Sequence, residues 1–259
     1  MNRNESFDKM AILYDKVRPS YPNQLIKDII NKTKITLNDR LLEIGAGTGK
    51  ATIQFAKRGF YIDCIEMGQN LVDILKFNCY NYPNVKVDVS TFEQWESKDN
   101  KAYDLIYSAQ AFHWIDKKIK YKKSHGLLNE NGHLALFWYQ NSDETSEVTD
   151  EINSMIKNNI PDFFDNEVDK TSFFENRELR KLEIIDSGLF NNLEIIDYTI
   201  ENSLDAETYI QSLNTYSRFA ILSDELKKKL NEEILRILNN YGGYINSKIA
   251  YSLYLAEKV

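Results

Sequence analysis

The chain has 259 residues, 42% hydrophobic and 27% charged, and its 39 acidic against 32 basic residues give a formal charge of −7. This composition excludes a disordered chain and allows a large apolar interior, in one domain or in a core with an insertion. An acidic balance gives no field that favours nucleic acid or an anionic membrane surface.

Two cysteines, Cys64 and Cys79, show neither metal-ligand spacing nor a disulfide framework, and three histidines are too scattered to predict a metal site. No apolar run approaches the ~20 residues of a bilayer span, and residues 1–7 lack an apolar signal core. The expectation is a cytoplasmic protein, monomer or homodimer, without nucleic acid or membrane partners.

In chain order, Pro22 suits a helix entry, and Leu25, Ile29 and Ile30 recur at helical spacing over 24–34. Apolar runs at 40–44, 61–65, 85–89, 104–108 and 133–139 read as strands, with helical patterns between them. Strands spaced in this way form a parallel sheet covered on both faces, and ligands bind at the carboxyl ends of its strands. Gly45, Glu66, Thr91 and Ser108 all fall at such ends. The lysine runs at 117–123 and 227–229 read as solvated helix faces.

After Tyr139 the sequence turns polar as far as Glu183, with only short helical patterns such as 148–157, which predicts an insertion. Residues 193–200 read as a sixth strand and 249–256 as a seventh. Between them 206–219 and 223–241 read as helices, the second capped by Ser223 and ended by Gly242 and Gly243. The expected division is an N-terminal arm with a nucleotide-binding core over 1–140, a helical insertion over 141–186, and the last two strands over 187–259 with a second helical segment at about 205–243. The two helical excursions are expected to cap the carboxyl edge of the sheet.

Residues 41–49, Leu-Leu-Glu-Ile-Gly-Ala-Gly-Thr-Gly, form an apolar run that ends in glycines at alternate positions. Glycines at 45, 47 and 49 permit positive φ and close approach of a ligand, and a helix beginning within 50–58 would turn its free amides toward that ligand. A dinucleotide fingerprint would need glycine at 50, where Lys50 stands. A P-loop would need glycine at 44 and a hydroxyl residue at 51, where Ile44 and Ala51 stand. Glu66, at the end of the next strand, is placed to accept both hydroxyls of a ribose.

The E-x-G-x-G-x-G run with its second-strand acid resembles the class I S-adenosylmethionine-dependent methyltransferases. Residues 103–108 and 128–136 are similar to that family's fourth strand and its turn into the fifth. The segments 14–22, 109–114 and 215–217 are similar to a small-molecule subgroup related to the trans-aconitate type. The resemblance implies an α/β fold with a Rossmann-like seven-stranded sheet, mostly parallel with the last strand antiparallel, and a helical cap from insertions after strands 5 and 6. It implies S-adenosyl-L-methionine as cofactor and a small-molecule acceptor, a carboxylate or a hydroxyl.

By that resemblance Glu43 lies near the methionine amino group, and Tyr14 and Arg18 belong to a segment folded over the cofactor. Gly45, Ala46, Gly47, Gly49, Glu66, Met67 and Ser108 complete the cofactor set with Thr91 and Phe92, where Thr91 replaces the acid that commonly meets the adenine. His113 is the candidate general base, Tyr14 a second catalytic candidate, and Tyr21, His113, Trp114, Tyr216 and Arg218 the candidates for the acceptor. Two alternatives are a nicotinamide-dependent oxidoreductase, for which Tyr244 and Lys248 have the Tyr-x-x-x-Lys spacing, and a non-catalytic S-adenosylmethionine-binding protein.

Overall fold

The computed structural model describes residues 10–97, 102–141, 146–161, 163 and 173–259. The signal-core reading of residues 1–7 and the middle of the polar insertion lie outside them. Seven strands alternate with helices: α1 (Ala11–Val17), α2 (Asn23–Thr33), β1 (Arg40–Ile44), α3 (Thr52–Ala56), β2 (Tyr61–Glu66), α4 (Gln69–Asn78), β3 (Val85–Val89) and β4 (Tyr103–Ala109). A 3₁₀ turn at Phe112–Trp114 leads to α5 (Lys117–Leu127) and β5 (Leu128–Asn141), then α6 (Glu147–Asn159), α7 (Phe173–Asp186) and β6 (Phe190–Asp205). The chain ends with α8 (Ala206–Asn214), α9 (Ser217–Ala220), α10 (Asp224–Asn240) and β7 (Tyr244–Lys258).

The strands form one sheet in the order β3-β2-β1-β4-β5-β7-β6. It is a mixed α/β sheet, parallel through its first five strands with antiparallel last strands. β1 is fully flanked, pairing Leu41 with Ile62 and with Leu105. That is why Leu41, Leu42 and Ile44 read as a continuous apolar run rather than an alternating one. The chain leaves β1 toward β2 and β3 and returns on the other side as β4, so the strand order reverses between β1 and β4. A crevice at the carboxyl ends follows from such a reversal.

The chain divides into two compact units. The sheet unit comprises Pro19–Tyr139, Leu179–Tyr198 and Tyr251–Val259. Its core gathers Leu42, Ile44, Ile65, Ile106, Phe112, Leu134, Trp138 and Tyr254. The helical unit comprises Met1–Arg18, Gln140–Glu178 and Thr199–Ala250, of which the described part has its own core around Ile152, Phe219, Leu230, Ile234 and Leu238.

Several elements differ from the sequence expectation, each for a visible reason. α3 is five residues long rather than spanning 50–58, because the tight turn through Gly49 delays its start. β6 and β7 run for 16 and 15 residues, extended by polar residues on the exposed face of β6. The helix expected over 206–219 breaks at Thr215 and Tyr216, where Tyr216 takes an extended conformation and begins α9.

The solvated reading of the 117–123 lysines holds for Lys117, Lys118 and Lys122 and is corrected for the other two: Lys120 is only 2% exposed and pairs with Glu183 at 2.8 Å, while Lys123 donates to the carbonyl of Glu93 at 3.2 Å. A half-buried carboxylate partner on α7, 63 residues away, turns Lys120 inward. Ser223 caps α10 by accepting from the amide of Leu226, and Gly242 and Gly243 end it at φ values of 88° and 81°.

Candidate functional site

The glycine loop is held from beneath by the tip of β2. The amides of Gly45 and Ala46 both donate to the carbonyl of Ile65, at 2.8 and 3.1 Å, and Gly49 closes a turn onto Ala46. Glu66 then clamps the loop: Oε2 accepts from the amide of Gly47 at 2.8 Å and Oε1 from that of Gly68 at 2.9 Å. Glu66 is 7% exposed, and Met67 beside it is half exposed.

The three glycines serve different ends. A Cβ on Gly45 would lie 2.3 Å from that of Ala111, and one on Gly49 would lie 2.5 Å from Leu75, so both are needed for packing within the protein. Gly47, at φ 57°, has open space on its Cβ side. Of the three, only Gly47 leaves a cradle that a ligand can fill, and there the residues present fit a bound nucleoside.

Beneath the loop, Glu43 is 1% exposed and accepts from the hydroxyls of Thr52 at 2.5 Å and Tyr107 at 2.9 Å. Burial pushes its carboxyl up to about 8, against those two hydrogen bonds, and neighbouring Glu66 adds to the rise. Thr52 escaped the sequence reading because it belongs to no motif, and Tyr107 because its segment is matched only as a strand. Their joint role depends on the pairing of β1 with β4.

The third and fourth strand tips complete the rim. Thr91 is half-buried and its hydroxyl accepts from the amide of Gln94, whereas Phe92 is packed into the core. Ser108 is fully buried and donates to the carbonyl of Ile44 at 2.7 Å, bracing β4 against the start of the glycine loop. Beyond it Gln110 adopts φ 60°, unusual for a side-chain-bearing residue. Its amide donates to Phe137 and its side chain to the carbonyl of Tyr139, so β5 holds the turn.

His113 follows in the 3₁₀ turn anchored by buried Phe112. Its ring lies 4.7 Å from that of Trp114, and its Nδ1 is 3.1 Å from the indole nitrogen of Trp138. Tyr21 is buried among Phe137, Tyr139 and Tyr251, its ring edge-on to Phe137 at 4.9 Å.

Within the helical unit, three sequence candidates meet. Arg18 donates from Nε to the hydroxyl of Thr215 at 2.9 Å and from Nη2 to its carbonyl at 3.1 Å. The same guanidinium lies 4.0 Å from the ring centre of Tyr216 and 5.3 Å from that of Tyr14. Arg218 lies apart from this clasp, 5.7 Å from the ring of Phe163. No group of three or more His, Cys, Asp or Glu suited to a metal occurs among the described residues.

Residues 41–132, from β1 to the start of β5, match the model of the methyltransferase domain. Over that stretch the chain is similar to methyltransferase domains. An uncharacterised methyltransferase of Mycobacterium bovis is 29% identical over 133 residues, 51% of each chain. A malonyl-acyl-carrier-protein O-methyltransferase of Ilyobacter polytropus is 27% identical over 146 residues, 53% of this chain and 52% of its own. The chain thus spans about half the length of the curated relatives it matches.

A solved protein of Anaeromyxobacter dehalogenans, provisionally described as a type II methyltransferase, shares the fold with a TM-score of 0.68 at 17% identity, covering 93% of this chain and 97% of its own. The chain therefore shares the Rossmann-like fold of that solved protein.

Proposed function

We propose that the protein transfers a methyl group from S-adenosyl-L-methionine to a small-molecule acceptor. The observation that carries this reading is the double clamp of Glu66 on Gly47 and Gly68 beside the open face of Gly47. Glu66 accepts from the ribose hydroxyls, while the backbone of Gly45, Ala46, Gly47 and Gly49 surrounds the methionine and sugar. Met67, Thr91 and the main chain at Phe92 flank the base. Glu43, below the loop, meets the amino group, whose positive charge draws its proton off.

The cofactor supplies an activated methyl group on a sulfonium, so the chain needs to align an acceptor and exclude water rather than to furnish a reactive side chain. This explains why hydroxyls, amides and aromatic rings line the strand tips. His113, Trp114 and the buried Tyr21 are the acceptor-side candidates of the sheet unit. Tyr14, Arg18, Tyr216 and Arg218 are those of the helical unit. The malonyl-specific relative supports O-methylation of an acid. No helix among the described residues is long and apolar enough to cross a membrane, in keeping with an acceptor met in water.

The test is formation of S-adenosylhomocysteine from S-adenosylmethionine with small acids, alcohols and amines. Steady turnover with one class supports the reading. Binding of the cofactor without turnover of any acceptor favours a sensor, and binding of NAD instead favours the oxidoreductase alternative.

A further inference from the structure

The bond between Trp138 and His113 determines which face of the imidazole can work. An indole nitrogen only donates, so the Nδ1 it reaches at 3.1 Å must carry a lone pair, and in the neutral ring the proton then sits on Nε2. The indole is itself fixed. Trp138 is 3% exposed, the Arg180 guanidinium lies 4.4 Å from its ring centre, and Tyr254 meets it edge-on at 5.6 Å. Nε2 is therefore the ring nitrogen left to donate to an acceptor.

The turn that carries His113 is also tied to the cofactor loop, because Ala111 packs directly on Gly45. The charged groups facing the ring are Arg180 and Lys120, with Glu183 opposing them, and Glu183 is itself paired with Lys117 and Lys120.

We propose that His113 is a substrate-positioning hydrogen-bond donor of fixed tautomer, whose Nε2–H holds an oxygen of an anionic acceptor, and that this acceptor is a carboxylate methylated without a general base. The inference rests on the methyltransferase reading above. A hydroxyl acceptor must lose a proton, and this imidazole has no place for it: Nδ1 is filled by the indole and Nε2 is already protonated. A carboxylate oxygen attacks the methyl carbon directly. The O–C bond forms as the C–S bond breaks, sulfur keeps the bonding pair and becomes a neutral thioether, and the acceptor's negative charge is cancelled with no proton released. The cations Arg180 and Lys120 favour an anion at this place over an ammonium, and burial together with those cations keeps the ring's pKa below its ordinary value.

The first test is a ring-nitrogen NMR spectrum of ¹⁵N-histidine-labelled protein, assigned with His113→Gln. The expected result is a neutral ring protonated at Nε2 down to about pH 5.5, and in Trp138→Phe a mixture of tautomers that titrates nearer the ordinary histidine value. A proton on Nδ1, or ordinary titration in the unmodified protein, overturns the proposal. The second test follows turnover with three four-carbon probes: succinate, 1,4-butanediol and putrescine.

Succinate alone should react. His113→Ala should raise KM for it about tenfold with kcat within about threefold, and His113→Gln, which keeps a donor but has no basicity, should restore KM. Turnover of the diol or diamine instead, or of none of the three while S-adenosylmethionine binds, or a Gln variant as impaired as the Ala variant, overturns the proposal. Absence of S-adenosylmethionine binding counts against the methyltransferase reading itself, and the ring spectrum then judges the tautomer separately.

Discussion

The loop after β1 and the loop after β4 touch at Gly45 and Ala111, yet they are held in opposite ways. The first is shaped by its own sequence: glycines at positive φ, a one-turn closure, and a carboxylate from the adjacent strand clamping its amide. The second is shaped from a distance, with Gln110 held in a left-handed conformation by β5 and His113 oriented by Trp138, 25 residues further on. A binding loop can be announced by residue type, whereas the group that faces an acceptor is set by whatever packs behind it.

The sharpest way to break this comparison is to add a side chain at its two ends. Gly45→Val drives a branched side chain into Ala111 at φ 70° and should cost about 3 kcal/mol or more of stability, enough to disturb both loops. Gly47→Val meets no neighbour, so it should remain folded with a cost of about 1 to 2 kcal/mol from its φ of 57°, while losing cofactor binding. Thermal denaturation and calorimetry on both variants decide the matter. Equal stability losses would mean that Gly47 is packed as tightly as Gly45.

Next in size, Glu66→Ala removes acceptors from the amides of Gly47 and Gly68 and should weaken S-adenosylmethionine binding by about 1 to 3 kcal/mol. An unchanged dissociation constant would show that the clamp serves only the fold.

Glu43 offers a test by pH. Its carboxyl, ordinarily near 4.5, is pushed up to about 8 in the folded chain, so between those values the folded state holds a proton that the unfolded chain has released. Unfolding free energy of the ligand-free protein should therefore fall as pH rises from about 5 to about 8. Glu43→Gln should flatten that part of the curve. Parallel melting curves for the two proteins across this range would remove the buried, protonated carboxyl from the account. The smallest effect is expected from Ser108→Ala, about 1 kcal/mol for the bond to Ile44 that joins β4 to the loop.

How far the sequence carried these conclusions follows the same division. β1 begins and ends where its apolar run does, since a strand flanked on both sides leaves an unbroken hydrophobic signature, and the edge strand β3 keeps its expected bounds through the alternation of Val85, Val87 and Val89 with Lys86 and Asp88. Glu66 could be placed at the crevice by register alone. The purposes of Gly45 and Gly49 could not, because Ala111 and Leu75 come from other elements.

Lys120 looked like a surface residue until Glu183 was seen beside it, and α7, built from polar residues around Ile184, hides its buried face in composition. Thr52, Trp138 and Arg180 belong to no motif, Tyr107 sits in a segment matched only as a strand, and the roles of all four come from strand pairing and packing. The clasp of Arg18 on Thr215 joins residues 197 apart in sequence.

The most direct measurement is a calorimetric titration of the ligand-free protein and its Gly47→Val variant with S-adenosylmethionine, with NAD as control. Saturable, one-to-one binding of S-adenosylmethionine by the unaltered protein alone, with no heat from NAD, is the predicted result. Equal binding by the folded variant, or binding of NAD in place of S-adenosylmethionine, would contradict it.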